Sequence, residues 1–271
     1  MTYQTIRLTQ DRNGIARLIL ARAEKHNALN AEMIRELTEA ARLIDASRTI
    51  RAVILEAEGK TFCAGGDLNW MRDQRERPEA ERVREGMMLA TMLCALDDMS
   101  KPLIAKVQGN AFGGGVGMMC VADIVITSDQ AMFGLTETRL GLIPATIGPY
   151  VVRRIGEGAA RQIFMNSKVF DAVLAVQTGL ASAMVSSGEL DAHVAREALA
   201  FLECAPGAVA EAKAFAKHCA RTTGDLTAYT TEKLAARWAN PEAAEGISAF
   251  FEKRKAAWMT GEADERPGTP A

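Results

Sequence analysis

Apolar and polar positions fall in short blocks through the first half of the chain, and their period changes from block to block. Residues 3–9 and 15–20 carry strand-like runs joined by Asp11-Arg12-Asn13-Gly14, a cluster of turn formers. Asn30 precedes a segment in which Met33, Ile34, Leu37, Ala41 and Ile44 recur at helical spacing, predicting an Asn30-capped helix through about Ala46. Residues 52–56 form a short apolar strand, and Gly59-Lys60 a turn. Residues 79–96 are helical in pattern, with a polar beginning and an apolar end. Residues 103–107, bounded by Pro102 and Gly109, predict a buried strand, and 118–122 the body of a buried helix. Residues 124–127 and 131–133 are further short strands. Strand and helix alternate at least three times over residues 15–135, which predicts an α/β layer structure.

After Gly141 the character changes. Residues 146–165, 171–179, 190–204, 207–220, 224–238 and 241–258 all predict helices, with Pro206 and Pro241 at starts and Gly188 and Gly224 at breaks. The expected organisation is a core over residues 1–204, a helical region over 205–260, and a flexible tail over 261–271, where Pro267 and Pro270 stand among charged and small residues. No internal repeat is evident. Residues 72–84 carry many charges of both signs and predict a solvated, mobile segment, with closure over a neighbouring site as a second role.

Composition narrows the function. At 271 residues, 48% hydrophobic and 24% charged, the chain can bury a sizeable core. A net charge of −2 argues against nucleic acid or an anionic membrane surface as partner. The first residues show no signal-peptide pattern, and no apolar run approaches the roughly 20 residues of a membrane span. Five scattered cysteines without Cys-x-x-Cys spacing fit reduced thiols, so a cytoplasmic location is expected. Three histidines far apart in sequence give little support to a zinc site or a histidine-based triad.

The candidate chemistry lies in two glycine turns and one carboxylate. Cys63-Ala64-Gly65-Gly66-Asp67 and Phe112-Gly113-Gly114-Gly115 each follow a buried strand and lead toward a helix. A triple glycine can be a plain flexible loop. It can also bring unobstructed amides at a helix start close to an anion or a developing oxyanion. Neither nucleotide-binding glycine fingerprint fits. Two such turns on neighbouring strands could aim two amides at one carbonyl oxygen, each donor being worth about 2.7–4 kcal/mol in a transition state. Glu137, in Phe133-Gly134-Leu135-Thr136-Glu137, is the candidate proton-transfer group; alone it could equally be a surface residue paired with Arg139.

Together these stretches resemble the crotonase (enoyl-CoA hydratase/isomerase) superfamily. The resemblance runs from Ala23-Glu24-Lys25-His26-Asn27-Ala28-Leu29, through both glycine turns and the Phe-Gly-x-x-Glu-x-x-x-Gly-x-x-Pro stretch ending at Pro144, to Phe250-Phe251-Glu252-Lys253-Arg254-Lys255. It implies an α/β fold, a spiral of ββα units with C-terminal helices that assemble trimers. Gly66 and Gly114 match the oxyanion-hole positions, and Glu137 matches one of the two glutamates that hydratases of the family use. Ala64, Gly65, Gly66, Asp67 and Leu68 match the stretch whose main chain lines the adenine pocket of coenzyme A. Lys25 and Ala28 match a loop along the pantetheine and phosphates. Phe250 and Lys253 match C-terminal positions that approach coenzyme A, often from a neighbouring subunit. Also implied are a coenzyme A thioester substrate, no permanently bound cofactor or metal, and a homotrimer or dimer of trimers.

One position departs from the pattern. The second hydratase glutamate would stand three residues after Gly114, and this chain has Gly117 there. Asp123, a helix-ending acid before a strand, is read as structural. Asp67-Leu68-Asn69-Trp70-Met71-Arg72, the Gly-Gly-Gly-Val-Gly turn and residues 142–152 resemble bacterial 3-methylglutaconyl-CoA hydratases, which implies hydration of a branched enoyl-CoA with a single glutamate. Arg72 or Arg139 could meet a carboxylate on the acyl tail. The alternatives are an enoyl-CoA isomerase, a decarboxylase or thioesterase on the same scaffold, and a non-catalytic acyl-CoA or RNA-binding protein, the last disfavoured by the mild acidity.

Overall fold

The computed structural model describes residues 2–260. The chain opens with the hairpin its turn formers predict: β1 (Ile6–Gln10) pairs antiparallel with β2 (Ile15–Leu20). Asp11 Oδ1 accepts from the amides of Asn13 and Ile15, closing the turn. α1 (Ala31–Ala46) begins where Asn30 sets it, the Asn30 side chain accepting from Met33 N–H at 2.9 Å. Met33, Ile34, Leu37, Ala41 and Ile44 are all buried, as their spacing requires.

The next stretch builds two sheets in parallel. β3 (Ala52–Ala57) is followed by the short β4 (Thr61–Cys63), α2 (Leu68–Glu76) and α3 (Glu79–Asp98). β5 (Leu103–Val107) is followed by β6 (Asn110–Phe112) and α4 (Gly114–Val121), and β7 (Ile124–Ser128) by β8 (Met132–Gly134). Each pair gives a longer strand to one sheet and a short strand to the other, so both sheets grow one strand at a time. This geometric repeat leaves no trace in the residue pattern, because it lies in chain path and not in side-chain identity. β3 and β5 are buried on both faces, which is why they read as continuous apolar runs.

The chain continues through α5 (Gly148–Asn166), β9 (Phe170–Asp171), α6 (Ala172–Gln177), β10 (Ala183–Val185) and α7 (Leu190–Leu202). It closes with α8 (Pro206–Arg221), α9 (Thr227–Trp238), α10 (Pro241–Phe251) and α11 (Ala257–Thr260). The larger sheet has the order β1-β2-β3-β5-β7-β10 and the smaller β4-β6-β8-β9. One face of the larger sheet carries Ile15, Ile54, Ile104 and Ile126 against Leu190, Val194 and Ala198 of α7. The opposite face meets the main core, which includes α1, α3, α4 and the smaller sheet.

Residues 72–84, mostly exposed as their charges predict, run from α2 through Arg77 and Pro78 into the start of α3. Glu85 joins the two helices, accepting from Trp70 Nε1 at 3.1 Å and from Arg77 Nη1 at 3.0 Å. Several expectations are corrected. α4 begins at Gly114, four residues before the predicted helix body, so Gly114 and Gly115 already lie in its first turn and Gly113 is its N-cap. The helix predicted over 146–165 is interrupted at Gly156, whose φ is 76°. The helix predicted over 241–258 stops at Phe251, because Lys253 turns left-handed and Arg254 N–H bonds back to the Ala249 carbonyl. β6, β9 and β10 are too short to carry a period. The tail predicted over 261–271 lies outside the described residues. Among the described residues, no helix is long and apolar enough to cross a membrane.

Candidate active site

The two glycine turns leave neighbouring strands. β4 pairs parallel with β6, Cys63 beside Ala111, and each strand ends directly before its turn. Gly65 (φ 89°) and Gly113 (φ 46°) both adopt the left-handed region that favours glycine. They pack on each other: a Cβ at Gly65 would stand 3.1 Å from the Phe112 carbonyl, and one at Gly113 would stand 3.7 Å from Gly65 Cα. The turns therefore meet back to back.

Each turn frees one amide. Leu29 forms a parallel bridge beside Gly66, donating from its N–H to the Gly65 carbonyl at 2.7 Å and accepting from Asp67 N–H at 2.8 Å. Both bonds straddle Gly66, whose own N–H has no partner among the described residues. In the second turn Gly113 N–H donates to the Gly134 carbonyl, while Gly114 is the first residue of α4, where the amide has no intrahelical acceptor.

The third component arrives from β8. That strand lies parallel to β6, Gly134 beside Phe112, and three residues later a short 3-10 helix, Glu137–Leu140, begins. A Cβ at Gly113 would come 3.1 Å from Glu137 Oε1, so the carboxylate lies directly on the second turn. Glu137 Oε2 is buried and has no hydrogen-bond partner among the described residues. Burial pushes the Glu137 carboxyl above the ordinary carboxylate range, a bond from its own amide opposing only in part. Arg139 turns away, donating to the Ser167 carbonyl at 3.4 Å, so the surface pairing with Glu137 is not made. Gly66, Gly114 and Glu137 line one cavity of about 220 Å³, whose walls include Leu29, Trp70 and Ile147. A larger groove of about 680 Å³ between α1 and α3 contains none of these three residues.

The loop before the site is tied to the first turn. Ala64 N–H donates to the His26 carbonyl, and buried Asn27 donates to the carbonyls of Glu58 and Thr61. Lys25 and Ala28 are thereby placed alongside Ala64, Gly65, Gly66, Asp67 and Leu68. Lys25, Ala64 and Leu68 are exposed, whereas Ala28, Gly65 and Asp67 are buried. The Asp67 side chain is committed internally: it caps α2 through the amides of Asn69 and Trp70 and pairs with Arg22 at 3.0 Å. Phe250 and Lys253 are exposed on and just after α10, and no described contact joins them to this loop. Asp123 is structural, accepting from Leu103 N–H and Lys213 Nζ, both at 2.7 Å.

Other chemistries find little support. Burial pushes the thiols of Cys63 and Cys120 up to about 12, which leaves them unreactive. Among the described residues, no cluster of His, Cys, Asp or Glu could hold a metal ion.

Known proteins share this arrangement along nearly the whole chain. Residues 10–261 match the family model for enoyl-CoA hydratase/isomerase. The chain belongs to the enoyl-CoA hydratase/isomerase family. It is 32% identical to the "Probable enoyl-CoA hydratase" of Rhizobium meliloti, with 94% of this chain and 98% of that protein covered. The solved structure of an enoyl-CoA hydratase from Shewanella pealeana superposes with a TM-score of 0.91 at 35% identity, covering 94% of this chain and 96% of the other. An enoyl-CoA hydratase/isomerase from Marinobacter aquaeolei gives a TM-score of 0.88 at 33% identity, with 94% and 99% covered. The fold is the α/β crotonase fold, with its two sheets and C-terminal helices.

Two elements of this family member escaped the sequence reading. Leu29 joins the two turns, its main chain on the first and its side chain against Gly114, where an added Cβ would come 2.5 Å from Leu29 Cδ1. Ile147 closes the cavity opposite Gly117. Leu29 offers no local signal, being one apolar residue among many. Ile147 could have been suspected as the bulky residue of a stretch rich in Gly, Pro and Ala that must pack somewhere.

Proposed function

We propose that this protein adds water across the 2,3 double bond of a β-branched enoyl-CoA, such as 3-methylglutaconyl-CoA, with Glu137 as its single acid–base group. The observation that carries this is the Glu137 carboxylate: half-buried, with Oε2 buried and unpartnered among the described residues, in the same cavity as the free amides of Gly66 and Gly114.

In this mechanism the thioester oxygen accepts from the amides of Gly66 and Gly114, which hold the enolate as it develops. Each such donor is worth about 2.7–4 kcal/mol. Ionised Glu137 takes a proton from water as the water oxygen bonds to Cβ. The C=C electrons move onto the thioester, and the proton returns from Glu137 to Cα. An alkyl branch at Cβ disperses positive charge there, which lowers the demand for a second acid. The raised proton affinity of Glu137 suits both halves of the transfer. The cavity lining contains neither Lys nor Arg, and Arg72 and Arg139 are exposed outside it, so the distal carboxylate of 3-methylglutaconyl-CoA would have to reach beyond the cavity to meet a cation.

Coenzyme A is substrate here, not a resident cofactor. We assign Lys25, Ala28 and the main chain of Ala64–Leu68 to its binding; the Asp67 side chain is already engaged by Arg22 and α2. Phe250 and Lys253 are assigned to the same thioester through assembly, supported by the exposure of Trp238, Phe250 and Phe251 on the helical region of residues 205–260. Those apolar surfaces suit a trimer or a dimer of trimers.

The test follows loss of conjugated thioester absorbance with 3-methylglutaconyl-CoA, 3-methylcrotonyl-CoA and crotonyl-CoA, with products identified by mass. Gain of one water on a branched substrate is expected. Double-bond migration without water would instead establish an isomerase, the second reading that a lone carboxylate supports.

A further inference from the structure

Gly117 lies one turn after Gly114 on α4, so the two share a helix face. Gly117 is buried, and its φ is ordinary for a helix, so backbone strain does not explain the missing side chain. The reason is steric. A Cβ built at Gly117 would stand 2.5 Å from Ile147 Cγ2 and 3.0 Å from Ile147 Cβ. Ile147 is itself 3% exposed and lines the cavity that holds Glu137. It stands just before the first turn of α5, so α4 and α5 lock around this pair.

We propose that Ile147 is the specificity-determining residue of this site: its Cγ2 methyl fills the space above Gly117, excludes any side chain there, and gives the acyl β-carbon an apolar wall. The inference rests on the hydration reading above and deepens it. A carboxylate at position 117 would have to occupy the space that Ile147 fills, so Glu137 remains the lone titratable group of the cavity. An alkyl substituent at Cβ gains contact with the isoleucine, whereas an unbranched enoyl group leaves that wall uncovered. Ile147 positions and selects; it exchanges no proton.

The test combines a kinetic ratio with a stability cycle. In the wild type, kcat/KM for 3-methylcrotonyl-CoA should exceed that for crotonyl-CoA. Ile147→Ala should move this ratio tenfold or more toward crotonyl-CoA, and Ile147→Val, which keeps a γ-methyl, should restore it. General loosening of the fold would lower both rates without moving the ratio. An unchanged ratio in Ile147→Ala overturns the proposal. Independently of turnover, Gly117→Ala should lower Tm, and adding Ile147→Ala should recover part of that loss. Additive losses would overturn the interlock. If the wild type hydrates neither thioester, the hydration reading fails together with the selectivity, and the stability cycle still decides whether Ile147 bars position 117.

Discussion

The two glycine turns look alike in sequence and free their amides by different means. At Gly66 the amide is left over because Leu29, a residue 37 positions earlier, pairs on either side of it. At Gly114 the amide is left over because a helix begins there. The first turn is thus held by tertiary pairing, from Leu29, Asn27 and the Arg22–Asp67 pair. The second is held by secondary structure and by the packing of α4 against β4, where a Cβ on Gly115 would come 2.7 Å from the Cys63 carbonyl. Apart from Leu29, whose side chain also packs on Gly114, these supports are separate, so the two donors can be perturbed separately.

The largest effect should come from the group that neither turn contains. Glu137→Gln leaves both amides in place, so acyl-CoA binding should persist while turnover falls about 10²–10⁴-fold, the usual span for losing a general acid–base group. Isothermal titration beside a rate assay checks this; retained turnover would remove Glu137 from the chemistry. The pH behaviour has a definite sign. Burial raises the Glu137 pKa, so activity requiring its ionised form should fall on acidification at a pH above the ordinary carboxylate range. Between the ordinary and the raised pKa the native state holds more protons than the unfolded chain, so stability is lost as pH rises through this window. Glu137→Gln should therefore be more stable than wild type at neutral pH, with the gain shrinking as pH falls through this window and gone below the unfolded pKa.

Next in size is Leu29, which spans both turns. Leu29 is 2% exposed, and truncation to Ala should cost about 2–5 kcal/mol of stability, the range for a buried leucine. Because its main-chain bonds survive, the variant should loosen the Gly114 side more than the Gly66 side. Arg22→Ala works on the first turn alone, removing the bonds to Asp67 and to the Ala28 carbonyl. A loss of about 1.5–3 kcal/mol is expected for hydrogen bonds to a charged group. Denaturant unfolding of both variants, with KM and kcat measured separately, tests whether the two supports are independent.

The same contrast explains what the sequence disclosed. The second turn was legible because secondary structure is local: a strand bounded by Pro102 and Gly109, glycines, then an apolar helix. Asn30 as a cap and Asp123 as a structural acid were legible for the same reason. Glu137 needed the family resemblance, since its flanks alone fit a surface residue. What supports the first turn was not legible, because the Leu29–Gly66 bridge and the Asn27 bonds join residues more than 30 positions apart. Ile147 was hidden likewise: its meaning lies in facing Gly117 across two helices. The charged stretch after Trp70 was legible as a solvated face, but its tie to Glu85 was not, because Glu85 looks like one acid among many.

The smallest expected effect is also the sharpest probe of the first turn. Asp67 has two tasks, capping α2 and pairing with Arg22, and asparagine can perform the first but not the second. Asp67→Asn should therefore cost only about 1 kcal/mol, since a neutral hydrogen bond can replace the charged one. Its signature is in the pH dependence. Burial by itself would raise the Asp67 pKa, but the Arg22 hydrogen bond and the amides of Trp70 and Asn69 together hold it below its ordinary value. The unfolded chain then holds more protons between the two pKa values. The stability contributed by Asp67 is present above the unfolded pKa and is lost as pH falls through the folded one. Melting curves of wild type and Asp67→Asn should be separated at neutral pH and converge at acid pH. A gap that persists in acid would mean that Asp67 stabilises the first turn by something other than its ionised carboxylate.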